Sequence, residues 1–205
     1  MGKREDNKAR KRTDLERAAL ELFLRQGYVA TSIEQIVAEA GVARGTFYLY
    51  FDDKESLFHT LVSAALDPVV DALLDARMAL DAAATPMETR VAYSLLAFAL
   101  ATAVTAHPEA TLLFYREQRA PGPIGEWLRS RQGQLDVFVI ELVRSLAERG
   151  LIRVTEPQVT ALAILGAIDR LAYAWLSGVD LGDPATVGPA IVRLFGEGLT
   201  HGGQS

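Results

Sequence analysis

The chain has 205 residues, a formal net charge of −5 and no cysteine. Half of its residues are hydrophobic, which indicates a folded core and excludes a largely disordered chain. The lack of cysteine excludes disulfide bonds and thiolate metal sites. The polar start MGKREDNKARKR does not fit a secretory signal, so we expect an intracellular protein.

The first helix is predicted to follow a basic arm. Residues 1–12 carry six basic and two acidic side chains and are expected to be disordered, either as a solvated tail or as an arm for a polyanion. Thr13 and Glu16 form a capping-box pattern that predicts the start of the helix, and Gly27 predicts its end.

Two short helices are predicted next. Thr31 and Glu34 form a second capping-box pattern, and Gly41 ends the helix that follows it. A third helix is expected over roughly residues 44–51. Two short helices joined by a glycine-containing turn are typical of a helix-turn-helix, in which the second helix enters the major groove of DNA.

The remaining chain is predicted to be helical throughout. A long helix follows Asp52 and Asp53, and Pro68 predicts a kink or break within it. Since no segment shows sustained alternation with a period of two, the predicted fold class is all-α with about nine helices. The later helices are expected at residues 86–106, 108–118, 123–149, 157–177 and 184–199.

The segment from Val91 to Ala106 carries no charge. It is slightly short for a membrane span and contains serine, threonine and tyrosine. We therefore favour a helix that is packed on every side within a helical domain.

The predicted third helix carries side chains suited to DNA. Arg44 can donate two hydrogen bonds to guanine, Gly45 lets the backbone approach closely, and Thr46 offers a hydroxyl to phosphate and a methyl group to thymine. An exposed arginine in solvent is the alternative for Arg44.

The aromatic residues of this helix are expected to divide between core and surface. Phe47 and Phe51 lie four residues apart and are predicted to be buried, whereas Tyr48 and Tyr50 cannot both share that face. Their hydroxyls suit phosphate oxygens. Lys54, in the first turn of the next helix, is expected to contact phosphate or to pair with a neighbouring carboxylate.

At these residues the sequence resembles the TetR (tetracycline-repressor-like) family of bacterial regulators. Residues 13–57 carry the resemblance through Thr31, Ile33, Ile36 and Ala38 and the motifs AGV, GTFYLYF and DKESL. Family members often have serine where this chain has Ala43, which cannot cap a helix with its side chain.

After the basic arm at 1–12, which is expected to be disordered, the resemblance implies a helix-turn-helix DNA-binding domain at 13–54 and a ligand-binding and dimerisation domain at 55–205. The protein is expected to be cytoplasmic and nucleoid-associated when bound to DNA. The resemblance also implies a homodimer, for which helices 157–177 and 184–199 are the candidates. The implied base-contacting positions are Arg44, Gly45, Thr46 and Leu49, and the implied phosphate-contacting positions are Thr31, Tyr48, Tyr50 and Lys54.

The prediction of a ligand-binding site rests on composition. Aromatic side chains could line a cavity or fill the core. The charge of Asp169 within an apolar helix needs a partner. Arg116 could meet an acidic ligand or form a surface salt bridge. The candidate ligand-binding residues are Phe98, Phe114, Arg116, Trp127, Asp169 and Tyr173.

The predicted function is therefore ligand-responsive transcriptional regulation, with repression and release by a small apolar or amphipathic effector. An enzyme is not expected, since the sequence has no G-x-S-x-G, H-E-x-x-H or P-loop pattern. No metal or cofactor is expected, because the three histidines lack ligand spacing. The rival is a small-molecule carrier that does not bind DNA.

Overall fold

The computed structural model describes residues 3–183 together with residues 186 and 190, and within these residues it contains helices and turns but no strand. This confirms the all-α prediction. The predicted helix at 184–199 lies outside the described residues apart from positions 186 and 190. The helices are α1 (Lys3–Gln26), α2 (Ile33–Glu39), α3 (Arg44–Phe47), α4 (Lys54–Ala82), α5 (Pro86–Ala106), α6 (Pro108–Glu117), α7 (Pro123–Glu148) and α8 (Pro157–Leu176).

Helix α1 begins ten residues earlier than predicted. Residues 3–12 are helical, so the expectation of a disordered arm over this stretch was wrong. Thr13 lies inside the helix, where its hydroxyl donates to the carbonyl of Ala9 at 3.2 Å instead of capping. Arg12 pairs with Glu16 one turn later at 2.8 Å. Strong helix formers and such pairs extend α1 past the capping pattern.

Helix α2 is capped one residue later than the sequence suggested. Ser32, not Thr31, is the N-cap, and its hydroxyl accepts a hydrogen bond from the amide of Gln35. The Gln35 side chain accepts from the amide of Ser32 in return. This reciprocal pair satisfies two amides that the helix cannot pair internally.

Helix α4 runs through Pro68 without a break. A proline inside a helix removes one backbone hydrogen bond and costs about 3 kcal/mol or more. Burial on both sides of Pro68, by Leu61 and Leu66 before it and Leu73 and Leu80 after it, offsets this cost.

Two hydrophobic cores are joined by α4. The first core packs α1, α2, α3 and the start of α4, up to Leu66, against α6 and the start of α7. The second core packs the later part of α4 with α5, α7 and α8. We call α1–α3 together with α4 up to Leu66 the head, and the rest the body. The first core extends across the predicted domain boundary between residues 54 and 55. This boundary remains a prediction.

Helix α5 is not packed on every side, which corrects the sequence prediction. Its buried positions are small residues, among them Thr89, Ala92 and Ala103. Larger apolar side chains point outward, and Phe98 is 65% exposed. In α5 the small side chains face the core and larger apolar side chains face outward. Polarity alone therefore does not reveal which side of this helix is packed.

Among the residues that the structure describes, three helices are long and apolar enough, by length and composition alone, to cross a membrane. They are Lys54–Ala82, Met87–Ala106 and Pro157–Leu176. The first supplies buried residues to both cores, so its apolar character follows from packing within the protein.

The N-cap of α4 gives a direct test of the fold. Asp53 accepts a hydrogen bond from the amide of Ser56 at 2.7 Å. We expect Asp53→Ala to lower the free energy of unfolding by about 1 kcal/mol, because an orphaned amide loses its partner. Asp52→Ala removes the same charge from the exposed neighbouring position and serves as the control. Equal losses in denaturant titrations of the two variants would contradict the cap.

Candidate nucleic-acid interface

The orientation of α3 is fixed by two phenylalanines. Phe47 is completely buried and Phe51 almost so, and both pack in the first core with Leu22 and Ile36. Their rings lie 5.7 Å apart. This confirms the predicted burial, and it leaves Tyr48 and Leu49 on the outward side of the helix and its following turn.

The outward side of α3 presents a continuous group of residues, which we call the α3 surface: Arg44, Gly45, Thr46, Tyr48 and Leu49. Leu49 is 73% exposed and Tyr48 is 48% exposed, although both are large and mostly apolar. A Cβ atom added to Gly45 would meet nothing within 4 Å. The α3 surface is therefore open to a partner, and the lack of a side chain at Gly45 lets a partner approach the backbone closely.

Helix α3 is shorter than predicted, because it ends at Phe47 and continues as turns to Phe51. Its N-cap is Ala43, which makes no side-chain cap hydrogen bond, as expected. The amide of Thr46 donates to the Ala43 carbonyl at 2.8 Å, so the backbone closes the first turn.

Arg44 forms an exposed ion pair with Glu34 of α2, with 2.7 Å between Nη1 and Oε1. The pKa of Arg44 is raised, first by a hydrogen bond with Tyr48 and then by the charge of Glu34. The pKa of Glu34 is lowered, first by its own backbone hydrogen bond and then by Arg44. The ion pair with Glu34 thus fixes the Arg44 guanidinium on the α3 surface. The Glu34 carboxylate would compete with an anionic partner for this guanidinium.

Thr31 lies inside the head. It is 2% exposed, its hydroxyl donates to the carbonyl of Gly27 at 2.8 Å, and it accepts from Gln26 at 3.3 Å. A phosphate contact through this hydroxyl would require the turn to open. We therefore leave Thr31 out of the α3 surface.

Lys54 ties the turn between α1 and α2 to the start of α4. Its Nζ donates to the carbonyls of Tyr28 and Thr31, both at 2.7 Å, and lies 4.2 Å from the centre of the Tyr28 ring. Desolvation lowers the pKa of Lys54, and the charge of Glu117 opposes this shift. Since an ammonium has three donors, one remains for a phosphate. Tyr50 is half-buried against the first core.

Helix α6 joins the body to the head through two adjacent residues. Arg116 donates to the carbonyl of Leu24 at 2.9 Å, and Glu117 accepts from the amide of Tyr28 at 3.1 Å. Glu117 is 8% exposed. The sequence analysis missed Glu117, because its partner lies 89 residues away and no local pattern indicates it.

Four of the predicted ligand-binding residues do not share a cavity. Phe98 points outward from α5, while Phe114 is buried in the first core. Arg116 is engaged at α1. Trp127 stacks on His59 with 4.0 Å between ring centres. Phe114, Arg116 and Trp127 are therefore used for packing and for the contact between body and head.

The structure does bring Asp169 and Tyr173 together, with Tyr115 between them. The Tyr115 hydroxyl donates to Asp169 at 3.2 Å, and the rings of Tyr115 and Tyr173 lie 5.9 Å apart. Burial raises the pKa of Asp169, with a smaller contribution from the charge of Asp136, while the Tyr115 hydrogen bond opposes the shift. Among the described residues no cluster of histidine and acidic side chains could hold a metal ion.

In the head, α2 and α3 are two short helices joined by a turn, and the second of the pair, α3, faces outward. Such a pair joined to a helical body is typical of a helix-turn-helix regulator. Residues 16–61 match the family model described as bacterial regulatory proteins, tetR family. The chain is 42% identical over 78 residues to the HTH-type transcriptional regulator TcmR of Streptomyces glaucescens, covering 38% of this chain and 34% of TcmR. It is 34% identical over 85 residues to the HTH-type transcriptional repressor KstR2 of Rhodococcus jostii, covering 38% and 42%.

The fold likeness extends much further than the sequence likeness. The transcriptional regulator FadR of Bacillus subtilis, solved in complex with stearoyl-CoA, superposes with a TM-score of 0.67 at 17% identity, covering 91% of this chain and 98% of that one. The matches to TcmR and KstR2 span less than half of those proteins. The match to the tetR family model is confined to residues 16–61, and beyond that segment the likeness to solved structures shows the fold.

Removing the charge of Lys54 tests its place in the head. We expect Lys54→Met to lower the free energy of unfolding by about 1–2 kcal/mol, because two carbonyls lose a charged donor. Lys11→Met removes the same charge from α1, where Lys11 forms no hydrogen bond or ion pair among the described residues, and should change stability little. Thermal and denaturant unfolding measure both, and an unchanged Lys54→Met protein would contradict this role.

Proposed function

We propose that this protein is a transcriptional repressor that binds a pseudo-palindromic operator as a homodimer and is released by a small apolar or amphipathic effector. The observation that carries the proposal is the exposure of the α3 surface on a head whose core fixes the phenylalanines behind it. The named repressor KstR2 and the acyl-CoA complex of FadR support the regulatory part by analogy.

The α3 surface has the chemistry that a major groove requires. Arg44 supplies a planar pair of donors for guanine, and Thr46 and Leu49 supply apolar contact for a thymine methyl group. Tyr48 and Lys54 supply donors for phosphate, which takes most protein–DNA hydrogen bonds. Basic residues along the first turns of α1 add favourable charge to the head.

The outward face of α8 supports a homodimer. Leu162 is 45% exposed, and Val159, Ala163, Gly166 and Arg170 are exposed on the same side of the helix. Small residues such as Ala163 and Gly166 permit close approach of a second helix, and a two-fold axis lets this face pair with its own copy. Two heads would then meet successive major grooves about 34 Å apart.

Release by an effector requires a difference in affinity. A ligand shifts the protein away from DNA only if it binds the non-binding conformation more tightly. Helix α4 and the contacts of Arg116 and Glu117 are the connections through which the body would reposition the head.

The ion pair on the α3 surface gives the sharpest test. Arg44→Ala should cost about 1–3 kcal/mol of operator affinity and relax specificity at one base pair. Glu34→Gln should instead raise affinity, because it frees Arg44 and removes a negative charge facing phosphate. Gel shifts with DNA from the promoter next to its own coding region, at several salt concentrations, measure both.

Two outcomes would count against the proposal. Equal loss on all DNA sequences for Arg44→Ala would make Arg44 a phosphate contact instead of a base contact. No salt-dependent binding of the unaltered protein to DNA would favour a small-molecule carrier. Arg25→Ala is the charge-matched control, because Arg25 also pairs with an acidic residue of α2, Glu39, but lies outside the α3 surface.

A further inference from the structure

A cleft of about 170 Å³ lies between α4 and α7, and none of the residues that the sequence predicted as ligand-binding lines it. Six of its eight lining side chains are apolar, so water in it would find few hydrogen-bond partners. The lining residues are Leu66, Val70, Leu73, Leu74, Arg131, Gln134, Leu135 and Phe138. We call this space the α4–α7 cleft.

Arg131 gives the cleft a positive charge. Its guanidinium lies 5.9 Å from the centre of the Trp127 ring, one helical turn earlier on α7. No carboxylate of the described residues lies within ion-pair distance of it. Gln134, three residues later, is the other polar side chain of the lining. A half-buried cation beside apolar space is stabilised by an anion that brings its own apolar part.

The size of the cleft limits the apolar part. A cavity of about 150 Å³ lined by aliphatic and aromatic side chains holds one benzene molecule. By that measure the α4–α7 cleft accepts about six to eight carbon atoms, and a longer chain would extend past Leu74, which is half exposed.

We propose that the α4–α7 cleft binds an amphipathic anion, with its carboxylate or phosphate on Arg131 and a chain of about eight carbons among the leucines of α4 and α7. This inference rests on the proposed effector response and names the chemical class of the effector. It replaces the aromatic residues and Asp169 with a different set of residues as the ligand site.

The cleft lies beside the stretch of α4 that contains Pro68, between the two cores. Its α4 wall runs from Leu66, a residue of the first core, to Leu73, a residue of the second, with Pro68 between them. Pro68 removes a backbone hydrogen bond at this point, so α4 bends here more cheaply than elsewhere. An occupant of the cleft separates α4 from α7 next to this point, and the start of α4 carries Lys54 and the head with it.

Binding is tested first without DNA, by calorimetry with octanoate, octyl phosphate, octanol and octylammonium below their aggregation concentrations. We expect octanoate or octyl phosphate to bind at least tenfold more tightly than octanol, and octylammonium not to bind. The better of the two anions identifies the head group. Equal affinity for octanoate, octyl phosphate and octanol, or no binding of either anion, would overturn the proposal.

Three variants locate the site. Arg131→Gln should weaken the better anion at least tenfold while leaving octanol unchanged, and Val70→Phe, which fills the cleft, should abolish both. Arg119→Gln removes an exposed arginine of the body outside the cleft and should behave like the unaltered protein. Unchanged anion binding by Arg131→Gln, or by a folded Val70→Phe protein, would place the ligand elsewhere and overturn the proposal.

A separate gel shift distinguishes this site from the proposed function. If the anion binds as expected and releases operator DNA, the result supports both the cleft assignment and the proposed effector response. If it binds with the expected variant pattern but leaves DNA binding unchanged, the cleft assignment stands and effector-driven release by this class fails.

Discussion

Everything on the outer side of α3 depends on the burial of Phe47 and Phe51 behind it. These two rings occupy the first core with residues from α1 and α2, and they leave the short segment only one orientation. In that orientation the side chains of Arg44, Tyr48 and Leu49 point away from the core, and they are exposed for this reason. A helix of four residues with an uncapped first turn gains its stability from this packing and very little from its own hydrogen bonds.

The same core makes the head part of the whole molecule. Helices α6 and α7 contribute Leu113 and Leu128 to it, and Arg116 and Glu117 bond directly to the backbone of α1 and its following turn. A displacement within the body therefore reaches the head through α4 and through the end of α6. The Pro68 position, between the two cores, is where α4 can change direction with the least loss of packing.

The sequence predicted the features that local patterns encode. It did not predict the role of a side chain whose partner lies far away along the chain. Helical periodicity and the family motif gave the all-α fold and the exposed residues of α3. The start of α1 was wrong because Thr13 fits a capping pattern that the helix overrides. Thr31 and Lys54 have roles set by carbonyls that the fold brings near them. The α4–α7 cleft joins residues more than fifty positions apart, which periodicity cannot pair.

The most direct measurement uses the absence of cysteine from the chain. A DNA-cleaving iron chelate is attached to the single thiol of Leu49→Cys on the α3 surface, with Met78→Cys on the exposed side of α4 as the control. The account predicts two cleavage clusters on a bound duplex, about one helical turn apart, from Leu49→Cys alone. Bound DNA left intact by that protein, or cut equally by the control, would contradict it.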